Sequence, residues 1–203
     1  EPAGIHSVIP ASDGIIWFTE DTVGRLGRLN PHTGEIKEYQ NMLPNGRRSG
    51  SHTVRVDDRG YVWTTGGPMI SRFDPKTEKF THFDVANTYG IEPGKKGDMW
   101  FTVFNEQNGA IVRITKDDNV SWFRPPTEGK PQRLVVDEDG IVWFSERRGN
   151  KIGRFDPRSE TFREFELPGP EASPYAIGID RYRMIWYASH EQDTLGRLNP
   201  QTG

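Results

Sequence analysis

Short apolar runs, each closed by Gly, Asp, Asn or Pro, recur along the whole chain. The clearest instance is Ile141–Pro157, IVWFSERRGNKIGRFDP. An Asp139-Gly140 turn leads into an apolar run with a Trp, a loop follows, and Lys151–Phe155 ends at Asp156-Pro157. The same pattern recurs as GIIWFTE…LGRLNPHTG from Gly14, YVWTTGG…ISRFDPKTE from Tyr61, DMWFTVF…IVRITKDD from Asp98 and MIWYASH…LGRLNPQTG from Met184. In the first repeat the pattern predicts strands over His6–Ala11, Ile15–Glu20, Arg25–Leu29 and Ile36–Tyr39. Asp13-Gly14 joins the first two, since tight hairpins need residues that tolerate positive φ. The second strand is apolar on both faces (Ile15 and Trp17, Ile16 and Phe18), as a strand sandwiched between two sheets should be. Outer strands such as Glu35–Tyr39 and Thr161–Phe165 alternate charged and apolar residues, as half-exposed edges do. No helical stripe of useful length interrupts this.

The repeat tryptophans are Trp17, Trp63, Trp100, Trp143 and Trp186, at spacings of 46, 37, 43 and 43 residues. A period of ~40–45 residues built from short strands is the signature of a β-propeller, one four-stranded blade per repeat. The fold class is therefore all-β, a β-propeller treated as one domain over residues 1–203. Its blades fall near 5–45, 51–84, 88–124, 131–167 and 174–203. The fifth stops at Thr202-Gly203, where its fourth strand should begin. The five blades are expected to be part of a six- or seven-bladed ring, with further blades or domains in a longer chain.

Composition adds exclusions. Gly and Pro number 22 and 15, which suits many turns, and aromatics stand at 11%. A net charge of -3 gives no reason to expect nucleic acid or an anionic membrane as a partner. The basic pairs Arg47-Arg48 and Lys95-Lys96 are isolated. With no Cys, disulfides, thiolate zinc sites and a Cys nucleophile are excluded. No apolar run approaches the ~18 residues of a membrane helix, and no apolar leader follows Glu1. An extracytoplasmic location, periplasmic or secreted, is expected only by analogy with other multi-blade modules.

Chemistry is expected over the propeller axis, at the mouths of the innermost strands. The residue eleven places before each repeat Trp is His6, His52, Tyr89, Gln132 and Tyr175 in turn. Imidazoles there can act as base, acid or ligand near neutral pH; a merely structural polar closure of the channel mouth explains the position equally well. Arg28, Arg72, Arg113, Arg154 and Arg197 recur in every third strand, too often for catalysis, and are read as structural. Asp57-Asp58, Asp117-Asp118 and Asp137-Glu138-Asp139 lack the spacing of a calcium loop and are read as turn chemistry. His32 and His82 are expected on the surface, and His190-Glu191 in a polar loop.

The motifs Ser173-Pro174-Tyr175-Ala176-Ile177, Trp17-Phe18-Thr19-Glu20 and Asn150-Lys151-Ile152-Gly153-Arg154 resemble the blade repeats of the virginiamycin B lyase family, the streptogramin-opening enzymes. The likeness runs through the whole chain, and its motifs are chiefly blade scaffold. It implies a seven-bladed ring and a magnesium-dependent carbon–oxygen lyase. In such an enzyme a base removes the proton beside a carbonyl and a lactone ester opens by elimination. By that resemblance His52 is the candidate base, His6 a proton donor or ligand and Tyr89 a substrate contact; Gln132 and Tyr175, at the same register, are further substrate-binding candidates. The positions matching the family's metal-binding glutamates are Gly50 and Gly66, and Glu20, equivalent to Gly66 on another blade, is the remaining metal candidate.

Three functional expectations follow. The first is a diverged lyase-type or small-molecule-binding propeller with a small organic ligand at His6, His52 and Tyr89. The second is a non-catalytic scaffold for a protein or glycan, using loops such as Asn41–Ser51 or Asn87–Pro93. The third is an active magnesium lyase on streptogramin B-type lactones.

Overall fold

The computed structural model describes residues 4–105, 107, 109–169 and 171–202. It is all-β apart from one 3-10 turn at Lys95–Gly97, and it has the β-propeller fold. The residues form two compact units, 1–93 and 94–203.

Unit one holds β1 (Ile5–Pro10), β2 (Ile16–Glu20), β3 (Arg25–Leu29) and β4 (Ile36–Gln40), ordered β1-β2-β3-β4. A second sheet follows, with β5 (Val54–Val56), β6 (Val62–Thr64), β7 (Ile70–Asp74) and β8 (Lys79–Phe83) again in chain order. β9 (Thr88–Pro93) completes the unit. Unit two holds β10 (Met99–Val103), β11 (Ala110–Ile114) and β12 (Val120–Phe123), successive antiparallel neighbours. It continues with β13 (Pro131–Val136), β14 (Val142–Glu146), β15 (Lys151–Asp156) and β16 (Thr161–Glu166), then β17 (Pro174–Ile179), β18 (Ile185–Ser189) and β19 (Thr194–Leu198). The strands expected for the first repeat each lie within one residue of those observed. No helix among the described residues is long and apolar enough to cross a membrane.

The turn before each central strand explains the carboxylates there. Asp137 Oδ1 accepts the backbone N–H of Asp139 and of Ile141, both at 2.9 Å, while Gly140 takes φ +82°. This is an Asx turn. Its second oxygen is also used: the Trp143 indole N–H donates to Asp137 Oδ2 at 3.2 Å. Asp57 treats Trp63 in the same way, at 3.0 Å. The strand-three arginines are structural too. Each pairs across from its Trp, and Arg72, Arg113, Arg154 and Arg197 hold their guanidinium carbons 5.3–5.9 Å from the ring centroid.

The core lies between consecutive sheets rather than within one. In unit one Ile15, Trp17 and Leu26 of the first sheet pack with Val54, Val62 and Phe73 of the second. In unit two Trp100 and Ile111 meet Leu134, Val142, Phe144 and Phe155. Central strands β10 and β14 are therefore buried at every residue, the outcome expected of a run apolar on both faces. His82 differs from expectation. It is half-buried, its Nε2–H donates to Asn41 Oδ1 at 3.0 Å, and burial lowers its pKa; His32 is exposed.

One device recurs between blades. The innermost strands carry a register irregularity at Ile5/Val8, Pro131/Leu134 and Pro174/Ile177, which takes a backbone N–H out of the ladder. The hydroxyl two residues after the repeat Trp meets that group. Thr19 Oγ1 accepts Ser7 N–H at 3.1 Å and donates to His52 O at 2.7 Å in the next blade. Ser145 does likewise, accepting Arg133 N–H at 3.1 Å and donating to Tyr175 O at 3.0 Å. Thr65 and Thr102 donate to Tyr89 O and Gln132 O at 2.9 and 2.6 Å. Thr65 is fully buried, so Thr65→Val is expected to cost about 1 kcal/mol. Urea unfolding measures the cost, and an unchanged midpoint would remove the hydroxyl from this account.

Candidate functional site

The inter-blade hydroxyls bond to the carbonyls of residues at the register eleven places before a repeat Trp. In unit one this brings His6, His52 and Tyr89 together. His6 sits on the irregular stretch of β1, is exposed, and its Nδ1–H donates to His52 O at 2.9 Å. A proton on Nδ1 leaves Nε2 of a neutral imidazole as the acceptor. The two imidazole centroids are 3.6 Å apart at an interplanar angle of 33°. His52 precedes β5 and is half-buried, with its Nδ1 2.9 Å from Thr53 Oγ1. The Tyr89 ring, on β9, lies 4.7 Å from that of His52. Further along the same strands Arg55 clamps Glu92 through Nε at 2.9 Å and Nη2 at 2.6 Å. Such a cluster can move a proton through imidazole and present a phenol to a bound molecule.

In unit two the same register gives Gln132 and Tyr175 different settings. Gln132 is buried at 2% exposure, and its amide oxygen has no hydrogen-bond partner among the described residues. Tyr175 has Arg133 5.5 Å over its ring, with Arg133 Nη2 3.4 Å from the hydroxyl and the His190 ring 5.9 Å away. His190 in turn lies 3.3 Å from Glu191 Oε1. Neither the arginine nor the hydroxyls Thr19, Thr65 and Ser145 stood out in the sequence. The hydroxyls had a signal, a Thr or Ser two places after four of the five repeat tryptophans.

The model of the virginiamycin B lyase family matches residues 76–203. The chain belongs to the virginiamycin B lyase family. Virginiamycin B lyase of Nocardia farcinica is 29% identical over 167 residues, covering 81% of this chain and 56% of that protein. The crystal structure of the Staphylococcus aureus virginiamycin B lyase superposes with a TM-score of 0.87 at 31% identity, over 99% of this chain and 68% of the other. A catalytically inactive form of the Staphylococcus aureus enzyme with quinupristin gives 0.87 and 31%, over 100% and 69%. The chain thus spans little more than half the length of its Nocardia relative.

Membership of the virginiamycin B lyase family raises the question of a magnesium site, and the residues at the histidine pair do not fit one. A hard divalent cation wants carboxylate oxygens, and the expected positions are Gly50 and Gly66. There is also no room for them. A Cβ built on Gly66 would stand 2.3 Å from His52 Cβ, and one on Gly50 would stand 2.4 Å from Gly66 O. Glu20 is buried and faces Arg25 at 3.8 Å. Its carboxyl is raised by burial first and then by Glu38, with Arg25 opposing. Among the described residues no group of three or more His, Asp or Glu is arranged to hold a metal.

Proposed function

We propose that this chain is a diverged member of the virginiamycin B lyase family that binds a small organic, lactone-like molecule at His6, His52 and Tyr89. The observation carrying this reading is the clustered trio of tilted rings, with imidazole centroids 3.6 Å apart and the phenol ring 4.7 Å from the second. In turnover, His52 takes the proton from the carbon next to the one bearing the lactone's alkyl oxygen, a C–H made acidic by its own neighbouring carbonyl. The C–H electron pair becomes a carbon–carbon π bond, and the ester C–O pair departs with the carboxylate. His6, its Nδ1 proton tied to the His52 carbonyl, offers Nε2 to the ligand, and Tyr89 covers the ligand's flank.

The test is a calorimetric titration of quinupristin into the protein and its His52→Ala variant, with chromatography for the opened, isomeric product. Saturable heat in the wild type and at least ~10-fold weaker binding in the variant, at an unchanged circular dichroism spectrum, is expected. Equal heats in both proteins would discard the site and leave the scaffold reading standing.

A further inference from the structure

Each of the five repeats carries an indole with a polar N–H, buried in all but the fifth, and the first repeat leaves that group without an acceptor among the described residues while keeping room for one. The turn residue six places before each Trp is Ala11, Asp57, Gly94, Asp137 and Asp180. Its backbone is bonded alike in every repeat: its N–H donates to the carbonyl four residues on, at 2.8–3.1 Å. Where it is Asp, the indole N–H donates to Oδ2, at 3.0 Å for Trp63, 3.2 Å for Trp143 and 2.8 Å for Trp186. The strand-three arginine completes the arrangement. Asp180 shows the full set, its carboxyl held below the usual range chiefly by the Trp186 N–H, with Arg197 adding to the effect.

The third repeat has no Asp, but it also has no space. A Cβ on Gly94 would stand 2.5 Å from Trp100 Nε1, and Arg113 lies over the ring. The first repeat keeps the space. Ala11 holds the same turn with no carboxylate, and the Trp17 indole N–H has no acceptor among the described residues. Arg28 pairs across from Trp17 but forms no hydrogen bond or ion pair among them; it feels Tyr39 and Glu78 only as a nearby charge. Ala11, Trp17 and Arg28 open together on a cleft of about 720 Å³ between the first two sheets of unit one, flanked by Tyr39, Tyr61 and Lys76. Of the four acids in its wall, Asp13 accepts the Ile15 N–H, and the Glu35 carboxylate has no partner among the described residues. Glu78 is bound by Lys37 and Tyr39, and Asp74 by Lys76 N–H and Thr77.

We propose that this cleft is a binding site for a small molecule bearing a carboxylate, the ligand's carboxylate taking the place that Asp57, Asp137 and Asp180 fill in their own repeats. Trp17 Nε1–H and the Arg28 guanidinium are its two donors, a charge-assisted pair in a part-buried setting. Tyr39 and Tyr61 give the rest of the ligand an aromatic wall. The cleft is separate from the histidine cluster and does not depend on that site's function.

The probe is sodium benzoate, followed by the side-chain N–H resonances of the six tryptophans, with Trp17 assigned from the Trp17→Phe spectrum. Saturable movement of the Trp17 signal is expected in the wild type. Arg28→Met should weaken it at least ~10-fold, and Ala11→Asp should abolish it by installing the repeat's own carboxylate. Three other repeats carry or accommodate this turn, so the Ala11→Asp protein should melt no lower than the wild type. A Trp17 signal indifferent to benzoate would overturn the proposal. So would an equal response in the Ala11→Asp protein, or an equal response to benzyl alcohol, which would mark an apolar cleft without carboxylate recognition.

Discussion

Replacing Gly153 by alanine is expected to lower the unfolding free energy by about 3 kcal/mol. Gly153 lies directly across from Phe144 in the β14–β15 pair. A Cβ there would stand 2.1 Å from Phe144 Cζ, with two more ring carbons at 2.3 and 2.6 Å. The ring has nowhere to go, since Phe144 is fully buried between two sheets and packs against Phe162 at 6.1 Å. Gly27 facing Phe18 and Gly196 facing Tyr187 repeat the arrangement, each with a 2.1 Å approach. The glycine of the recurring Gly-Arg pair is thus a seat for an aromatic ring. Chemical denaturation of Gly153→Ala measures the loss. In a Phe144→Ala background the second substitution should cost little, because the clash has gone. Additive losses in the double variant would place the cost in the backbone instead.

That glycine illustrates what the sequence makes readable. The Trp period and the Asp-Gly turns are local signals, and they located the sheets and the buried central strands closely. The repeated arginine was readable as structural because it occurs in every repeat, and the structure adds the partner, the indole ring across the pair. What was not readable depends on through-space distance. Nothing in the letters IGR says that the glycine faces a ring, because the facing residue is nine places away and its rotamer decides the contact.

The candidate site divides along the same line. Register alone put His6, His52 and Tyr89 at matching positions, and those three share one cluster in unit one. The irregular stretch at His6 and the hydroxyls that tie each mouth to the next blade escaped notice, because they answer backbone groups left unpaired by geometry. Gly50 and Gly66 could be read as missing ligands. Only the coordinates add that the space beside His52 is filled, so restoring one glutamate would require the backbone to move. Ala11 carried no signal by itself; its meaning lies in the aspartates that hold the same turn elsewhere.

The pH dependence of stability should carry the mark of Glu146, and Glu146→Gln should erase it. Glu146 ends β14, is fully buried, and neither carboxyl oxygen has a hydrogen-bond partner among the described residues. The walls are tight: a Cβ on Gly129 would stand 2.5 Å from Glu146 Cδ. Burial, and then the charge of Glu164, push its pKa from the ordinary 4.5 up to about 8, with Lys151 opposing. Lys151 is committed to Glu164, 2.9 Å away. Between 4.5 and about 8 the folded protein therefore binds a proton that the unfolded chain has lost. Linkage then makes stability fall as pH rises across this window and level off above it. The glutamine side chain has the same shape and no proton to lose. Its variant should match the wild type near the lower bound and exceed it by on the order of 5 kcal/mol above the upper one. Urea midpoints across the window, for both proteins, read this directly. A wild-type profile no steeper than that of the variant would mean that Glu146 ionises in the fold with a partner supplied from elsewhere, and the buried neutral acid would have to be abandoned.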